Sequence, residues 1–289
     1  MIIYIVSTAL SLIMINQFEI QTNPSLVALI SFLICLIFFN VMNVNRIKIA
    51  YAALFQHPID FIVMNIITAI IWLGTFWGLK YISPALFVSI FMSVIPLTSL
   101  LIKSNKKEIR YTEIVPLFIL IFSALALVSY ENLTLITFTQ SFFYGLLLAA
   151  LSGCFSAIYM HHSQKMQKKC HFLTIDFLCI RFYFVILICF LLTTQHHIAI
   201  SSILNKWYDF VIISILTTII PLYSLQKAIL TFGPMRVSCL ITLTPLAAYF
   251  LQTLMGFQFN LFIFSTILMI SLLLIQYYRK IFHVKAERR

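Results

Sequence analysis

Polar side chains recur at helical spacing inside one of the most apolar stretches of the chain. Residues 81–100 read YISPALFVSIFMSVIPLTSL, and Ser89, Ser93 and Pro96 fall at positions i, i+4 and i+7. In an α-helix this spacing places the three side chains on one face. Hydroxyl groups can hydrogen-bond a solute, and polar groups at membrane depth are tolerated where they face protein or water. The stretch therefore predicts one wall of a solute-binding cavity.

Residues 231–250, TFGPMRVSCLITLTPLAAYF, repeat this arrangement. The matched positions are Pro84 with Pro234 at a displacement of 150 residues, and Ser89, Ser93 and Pro96 with Ser238, Thr242 and Pro245 at a displacement of 149. Proline removes a backbone donor and kinks helices, which is common in membrane helices. Because the prolines recur in pairs, we interpret them as hinges, together with Pro221.

Two further helices carry polar faces of the same kind, and all four are predicted to surround a common cavity. The additional positions are Asn65, Thr68, Trp72 and Thr75 in one helix, Ser214, Thr217, Pro221 and Ser224 in another, and Tyr249 and Gln252 beyond Pro245. The expected cavity walls also include the larger polar side chains Trp72, Tyr159, Tyr223, Gln226 and Tyr249. Alternatively, the hydroxyls bond back to carbonyls four residues earlier, small residues serve close helix packing, and the aromatic residues form an interfacial belt.

The elements that must position these side chains are membrane-spanning helices. Hydrophobic residues make up 62% of the 289 residues and charged residues 9%, far from the composition of soluble domains. Apolar runs of helical spanning length predict an all-α integral membrane protein. We expect ten transmembrane spans, at 2–17, 25–42, 60–79, 83–102, 113–130, 141–161, 172–193, 209–228, 233–254 and 259–278. The first is short, but it lacks the basic segment and the cleavage site of a signal peptide.

The distribution of positive charge predicts the orientation. Lysine and arginine cluster after spans two, four, six and ten, whereas the alternate loops hold little beyond Lys80 and Lys206. Since positive residues stay on the cytoplasmic side, both termini are expected in the cytoplasm of a cell with an inner membrane. The net charge of +11 then reflects topology and contact with the lipid bilayer, and no nucleic-acid partner is expected.

Three charged residues are predicted to lie within or at the ends of spans. Asp176 and Arg181 belong to span seven, and Asp60 lies at the cytoplasmic mouth of span three. Intramembrane charges are candidates for coupling, gating or substrate binding. The alternatives are structural pairing and, for Asp176, reaching the headgroup region. No other predicted span has a carboxylate deep in the membrane. The sequence is therefore as compatible with facilitated exchange or uniport as with proton antiport.

No residue pattern predicts catalysis, a metal site or a cofactor. The six cysteines show no metal-binding spacing, and there is no phosphate-binding glycine loop or HExxH pattern. His161 and His162 end span six beside three lysines, which is typical of a solvated helix end. The expected partners are a small-molecule substrate and the bilayer, and the oligomeric state stays open, a homodimer included.

The matched stretches divide the chain into two five-helix halves, residues 1–133 and 134–289. Because five is odd, the second half must cross the membrane upside down relative to the first. Such an inverted repeat is the architecture of many secondary transporters, whose substrate site lies near the midplane between the halves.

The order and spacing of these features resemble a known family. A chain with ten helices, short loops and the pattern YISPALFVSIFMSVIPLTSLL is similar to the EamA-type drug/metabolite transporter superfamily. LTIDFLCIRFYFVILICFLL resembles the seventh helix of that family, including Arg181. The resemblance implies a Gly-Glu near the fifth and tenth helices, where this chain has Glu108 but Gln258, and an arginine in span two, where it has Ser31.

The resemblance implies alternating-access transport of an amino acid, a related metabolite or a drug-like molecule, with export favoured. A cavity of aromatic and hydroxyl groups suits small amphipathic or zwitterionic solutes better than phosphates, which call for a basic cluster. The alternatives are an uptake transporter for a nutrient or cofactor, and a lipid-handling membrane protein with a groove open to the bilayer.

Overall fold

The computed structural model describes residues 1–19, 23–104, 140–194, 207–256, 259–269 and 271–272. Every regular element in these ranges is helical. The predicted fifth span at 113–130, together with Glu108 and Gln258, lies outside the described residues, as does the end of the predicted tenth span.

The first half of the chain contributes five described helices. They are α1 (Ile2–Glu19), α2 (Pro24–Met42), α3 (Ile47–Gln56), α4 (Pro58–Tyr81) and α5 (Pro84–Ser104). The second half contributes α6 (Gln140–Lys169), α7 (Thr174–Leu178), α8 (Tyr183–Thr194), α9 (Trp207–Ser214), α10 (Ile220–Phe232), α11 (Pro234–Leu240), α12 (Thr244–Leu254) and α13 (261–269). A π-helical segment, Ile215–Ile219, joins α9 to α10, and a 3₁₀ turn, Ile241–Leu243, joins α11 to α12.

Six segments are long and apolar enough to cross a membrane. They are Pro24–Met42, Pro58–Tyr81, Gln140–Lys169, Thr174–Thr194, Trp207–Phe232 and Pro234–Leu254. Shorter apolar helices cover Ile2–Ile15, Ile47–Gln56 and Leu86–Ile102. Large apolar side chains such as Ile37, Val41 and Phe190 are exposed, because lipid is their solvent. The chain is therefore an all-α, multi-pass membrane protein.

Prolines begin four of the described helices. Pro24, Pro58, Pro84 and Pro234 are the first residues of α2, α4, α5 and α11. Proline suits this position because its missing N–H would have no partner in the first helical turn and its φ is already helical. Two of the predicted hinge prolines, Pro84 and Pro234, are thus helix starts.

The remaining hinge prolines lie within helices or next to irregular turns. Pro221 follows the π-helical segment, in which the Ile220 N–H bonds to the Ile215 carbonyl five residues earlier. Pro245 follows the 3₁₀ turn, whereas Pro96 lies inside the α-helix α5. Because proline cannot donate a backbone bond, altered bonding beside Pro221 and Pro245 is the expected local response.

The core is closely packed where α6 meets α4 and α5. Gly74 of α4 lies against Ser152 of α6, and a Cβ placed on Gly153 of α6 would come 2.6 Å from the Phe91 carbonyl oxygen of α5. Small residues allow membrane helices to approach this closely. The three helices form a rigid wall, and their inner faces help to line the cavity described next.

Candidate functional site

A cavity lies between helices of both halves. Its walls come from α1, α4 and α5 of the first half and from α6, α10 and the segment around Arg181 of the second. The lining residues are Tyr4, Thr8, Ser11, Leu12, Ile71, Trp72, Thr75, Phe87, Phe91, Ile95, Ser156, Tyr159, Met160, Arg181, Thr217, Pro221, Leu222, Leu225 and Ile241. Most of this surface is apolar, and a few hydroxyls and one guanidinium are the polar groups. That composition is typical of small-molecule sites.

The cavity lies beside the middle third of α4 and is small. Trp72 is the fifteenth residue of the 24-residue helix α4, about 21 Å from its start at 1.5 Å per residue. The volume is about 70 Å³, whereas sites for drug-sized ligands span about 300–1,000 Å³. In this conformation the cavity holds a small chemical group, and a larger solute requires the helices to separate.

An interruption in the seventh span places Arg181 at the cavity. The sequence predicts one continuous helix over 172–193, but α7 ends at Leu178 and α8 begins at Tyr183. Asn65 of α4 satisfies the freed backbone groups: its Nδ2 donates to the Ile180 carbonyl at 3.3 Å, and its Oδ1 accepts from the Tyr183 N–H at 3.0 Å. Non-helical backbone is tolerated at membrane depth when protein groups satisfy it in this way.

Arg181 begins a chain of buried hydrogen bonds between three elements. Its Nη1 donates to the Tyr159 hydroxyl, which in turn donates to Oε1 of Gln226. The Nε2 of Gln226 donates to Oε1 of Gln167 at 2.7 Å. The guanidinium carbon also lies 4.3 Å from the centre of the Tyr159 ring and 4.9 Å from that of Phe182, within the range of cation–π attraction.

The charge of Arg181 is nevertheless incompletely compensated among the described residues. The side chain is 3% exposed, and its Nε has no hydrogen-bond partner there. A charge at the bilayer centre costs about 2.5–3.5 kcal/mol on insertion scales. Tyrosine and phenylalanine rings offset part of that cost, but none of these partners carries a negative charge. Arg181 is therefore a positively charged side chain without a described counter-charge in the cavity wall.

Asp176, in contrast, has a full set of partners. Arg46, between α2 and α3, binds it with Nη2 2.9 Å from Oδ2 and Nε 3.2 Å from both carboxylate oxygens. The Leu173 N–H also donates to Oδ2 at 2.8 Å. These bonds fix the start of α7 and are the structural pairing left open by the sequence. Asp176 is absent from the cavity walls.

Asp60 lies at the start of α4, where it contacts two residues in the last part of α6. Lys169 Nζ lies 2.9 Å from Oδ2, and His162 Nε2 lies 3.8 Å from Oδ1. Asp60 is partly exposed and belongs to a surface ion pair between two helices. This position is consistent with the predicted location at the mouth of the third span, away from the cavity.

The structure brings together only part of the predicted site. Trp72, Tyr159, Thr217, Pro221 and Arg181 line the cavity, and Gln226 bonds to Tyr159 behind the wall. Trp72 packs edge-on against Phe32, with ring centres 5.1 Å apart. Thr217 Oγ1 has no hydrogen-bond partner among the described residues. These residues come from the third, sixth, seventh and eighth spans of the predicted series.

Other predicted site residues lie elsewhere. The side chains of α5 and of the ninth span that line the cavity are apolar, and the predicted hydroxyl residues of these two spans are absent from its walls. The residues absent from the cavity walls are Asn65, Thr68, Ser89, Ser93, Tyr223, Ser238, Thr242 and Tyr249.

Hydrogen bonding explains several of these placements. Ser93 donates to the Ser89 carbonyl, and Ser238 donates to the Met235 carbonyl at 2.9 Å. The Tyr249 hydroxyl donates to the Asn260 carbonyl at 2.9 Å, which joins α12 to the segment before α13. Back-bonding and packing, the alternative stated for these hydroxyls, therefore applies here.

A polar face on α1 contributes cavity residues that the sequence interpretation missed. Tyr4, Thr8 and Ser11 fall at i, i+4 and i+7, and all three line the cavity. The same spacing signal is present in α1, but this short span is predicted only as a transmembrane helix and not as a cavity wall. Ser156 and Gln167 carried a comparable signal, although only Tyr159 of α6 was predicted for the cavity. Polar residues follow one face of this helix at i, i+4, i+7, i+11 and i+15, namely Ser152, Ser156, Tyr159, Ser163 and Gln167.

A second concavity opens on the surface at the ends of α1, α2 and α10. It has a volume of about 610 Å³ and is lined mainly by apolar side chains, with Tyr223, Ser224, Lys227 and Thr231 among the exceptions. Tyr223 is 37% exposed and its ring lies 5.9 Å from Lys227 Nζ. Tyr223 thus belongs to a surface groove, apart from the cavity.

The residues that the structure describes contain no group of three histidine, cysteine or acidic side chains able to hold a metal ion. Cys35, Cys179 and Cys189 are free and buried, and Cys154 and Cys170 are free and partly buried. They act as small packing residues. The chemistry of the cavity is therefore that of hydrogen bonds, aromatic faces and one guanidinium.

Fold and cavity together define an all-α, multi-pass membrane protein with a mainly apolar cavity, containing hydroxyls and one guanidinium, among its helices. No family model and no curated protein matches the chain. Solved structures do match, 21 chains in all. One of them, described as "Crystal structure of protein", has a TM-score of 0.60 and 13% sequence identity over 94% of this chain and 96% of that chain. At this identity the similarity shows the fold alone.

Proposed function

We propose that the chain is a secondary transporter that moves a small amphipathic metabolite across the inner membrane, with export favoured and both termini in the cytoplasm. The observation that carries this proposal is the cavity among the apolar helices, whose walls come from both halves and contain Arg181. A charge that is costly at membrane depth indicates a functional site. The proposal includes membership of the EamA-type drug/metabolite transporter superfamily.

Two structural features support an arrangement of ten helices as a five-plus-five inverted repeat. Pro84 and Pro234, which are 150 residues apart, each begin a helix, α5 and α11. The cavity also lies between residues of the two halves, 1–133 and 134–289, as expected for a substrate site between repeats.

Alternating access would use the irregular segments of the second half. The interruption between α7 and α8, the π-helical segment before Pro221 and the 3₁₀ turn before Pro245 each lie beside cavity residues. Such segments change conformation at lower cost than continuous helix, because fewer regular backbone bonds must break. The rigid wall formed by α4, α5 and α6 would then be the frame against which they move.

Counterflow in proteoliposomes tests this proposal. Vesicles are loaded with a mixture of unlabelled metabolites, and the entry of labelled amino acids and organic acids is followed. We expect exchange that depends on the protein, and at least fivefold slower exchange in Trp72→Ala, because Trp72 forms part of the cavity wall.

Trp77→Ala is the matched control. Trp77 lies on the same helix, is also partly buried and packs 5.3 Å from Lys80 Nζ, outside the cavity walls. Equal loss of exchange in both variants, or no exchange of any labelled compound, would contradict transport through this cavity. Measuring initial rates in both directions separates export from the alternative of nutrient or cofactor uptake.

Lipid handling is the second candidate, and the surface groove favours it. The groove of about 610 Å³ is open and mainly apolar, so an acyl chain could lie in it. A fluorescent-lipid scrambling assay on the same vesicles distinguishes the two activities. Scrambling that is blocked by Ala228→Trp, in the groove, and is unaffected by Trp72→Ala would establish lipid handling in place of solute transport.

A further inference from the structure

Arg181 is a buried cation with unused hydrogen-bonding capacity at the cavity. Its side chain is 3% exposed and lines the cavity, Nη1 donates to Tyr159, and Nε has no partner among the described residues. A buried charge is stable when an opposite charge and hydrogen bonds satisfy it. The described residues supply the hydrogen bond but no negative charge.

The described part of the chain offers no carboxylate for this purpose. Of the acidic residues whose side chains are described, Asp176 is bound by Arg46, Asp60 is bound by Lys169, and Asp209 is exposed at the start of α9. None of the three lines the cavity. The lining as described therefore carries one positive charge and no negative charge.

We propose that Arg181 binds the carboxylate of a solute that has a single negative charge, an uncharged apolar remainder and no cationic group. The inference rests on the proposed transport function for its physiological meaning, since the solute would be the cargo. The guanidinium of Arg181 supplies charge-assisted hydrogen bonds to the carboxylate, and the Thr217 hydroxyl is an additional lining group that has no hydrogen-bond partner among the described residues.

The other lining groups select among anions and against zwitterions. A phosphate dianion calls for more than one cation, and Arg181 is the only cationic side chain in the described lining. An ammonium group would meet Arg181 without a neighbouring carboxylate to offset the repulsion. Apolar side chains, including Phe87, Phe91, Ile95 and Leu222, suit a hydrocarbon remainder.

Four compounds with nearly the same carbon skeleton test the charge requirement. They are isocaproate, which carries only the carboxylate, its neutral amide isocaproamide, the zwitterion leucine, and the cation isopentylamine. Their effect on the thermal unfolding of the purified protein in detergent is measured, with inorganic phosphate as a fifth probe. A compound that binds only the folded state raises the apparent melting temperature in a concentration-dependent manner.

We expect isocaproate to raise the melting temperature of the wild-type protein and to bind at least tenfold more tightly than isocaproamide, leucine or isopentylamine. This comparison requires no variant. Equal stabilisation by the amide, tighter binding of leucine or phosphate, or no stabilisation by isocaproate at millimolar concentration would each overturn the proposal.

Two variants then assign the effect to the guanidinium. Arg181→Gln should weaken isocaproate binding at least tenfold and remove the preference over the amide, and Arg181→Lys should retain part of that preference because it keeps the charge. Arg236→Gln is the matched control. Arg236 is an exposed arginine on α11, so the substitution removes the same charge outside the cavity. Unchanged isocaproate binding in Arg181→Gln would overturn the proposal.

Failure of this inference differs from failure of the transport proposal. Arg181-dependent binding of isocaproate without counterflow of any labelled acid would contradict transport and leave the anion site intact. Counterflow that does not distinguish acids from amides would contradict the anion site and leave transport intact.

Discussion

Asp176 and Arg181 lie five residues apart in one interrupted membrane segment, but only Asp176 has an oppositely charged partner among the described residues. Asp176 is fully buried, and its carboxylate accepts hydrogen bonds from Nε and Nη2 of Arg46 and from the Leu173 N–H. Arg181 is almost fully buried and receives only neutral partners among the described residues. The protein itself supplies a counter-charge for Asp176, whereas the described residues supply none for Arg181.

The difference separates a structural ion pair from a binding group. A buried ion pair costs desolvation that its partners offset, so removal of one partner is far more damaging than removal of the pair. A buried charge without a counter-charge lowers stability in the absence of ligand, and its retention is explained by function. Variants at the two positions should therefore behave differently.

The largest effect on stability is expected for Arg46→Ala. Among the described residues, this change leaves the buried Asp176 carboxylate with only the Leu173 N–H as donor, and a buried carboxylate without its counter-charge costs about 3 kcal/mol. Asp176→Asn should cost less, because Arg46 is 39% exposed and can turn to water. Thermal unfolding of both variants in detergent gives the comparison.

The double variant Arg46→Ala with Asp176→Asn completes the cycle. It should recover part of the stability lost in Arg46→Ala, since no uncompensated carboxylate is then left. A loss below about 1 kcal/mol in Arg46→Ala would show that the pair contributes no more than an exposed one.

The hydrogen bonds around Arg181 are expected to contribute an intermediate amount. Tyr159→Phe removes the acceptor for Arg181 Nη1 and the donor to Gln226, which leaves two buried groups unsatisfied. We expect the free energy of unfolding to fall by about 1–2 kcal/mol. Tyr223→Phe, in the exposed groove, is the control and should change stability by less than half as much.

Arg181→Gln is expected to change stability much less than Arg46→Ala does. The variant loses the bond to Tyr159 and also removes a charge with an uncompensated desolvation cost, so the two changes oppose each other. Without ligand, the free energy of unfolding should change by less than about 1 kcal/mol. A loss as large as that of Arg46→Ala would indicate that Arg181 stabilises the fold, as Asp176 does.

The smallest effect is expected for the exposed pair of Asp60 and Lys169. Lys169→Ala removes a contact of 2.9 Å between partly exposed side chains, which is worth about 0.2–1 kcal/mol. Salt should reduce even this difference, because exposed charges are screened. Unfolding measured at low and high ionic strength checks both statements, and a large, salt-independent loss would contradict them.

Parts of the cavity were predictable from residue type and spacing. Trp72, Tyr159, Thr217 and Arg181 were expected in the site, and all four line the cavity. Each carries a polar group or an aromatic ring in an otherwise apolar span, so burial against lipid alone would be costly. The expectation of large, multi-pass apolar helices is confirmed for the six long segments.

Hydroxyl groups were poorer guides to the cavity. Ser93 and Ser238 have the same helical spacing as true lining residues, but they bond to carbonyls of their own helices. Spacing shows only which side chains share a face, and a serine can satisfy itself locally on any face. Tyr4, Thr8 and Ser11 show the reverse case, because the equivalent face of α1 does meet the cavity.

The sequence alone predicts that the helices of this protein lie in a lipid bilayer, because long runs of uncharged apolar residues are stable as helices surrounded by lipid. It also determined where several helices begin, since proline restricts its own backbone wherever it occurs. Only the tertiary structure shows which helix faces line the cavity. It also shows that Asn65 bonds to the interrupted backbone between α7 and α8. Finally, it shows that Arg46 binds Asp176, whereas no described carboxylate contacts Arg181. These outcomes depend on contacts between residues more than a hundred positions apart, and no local spacing encodes the angle at which distant helices cross.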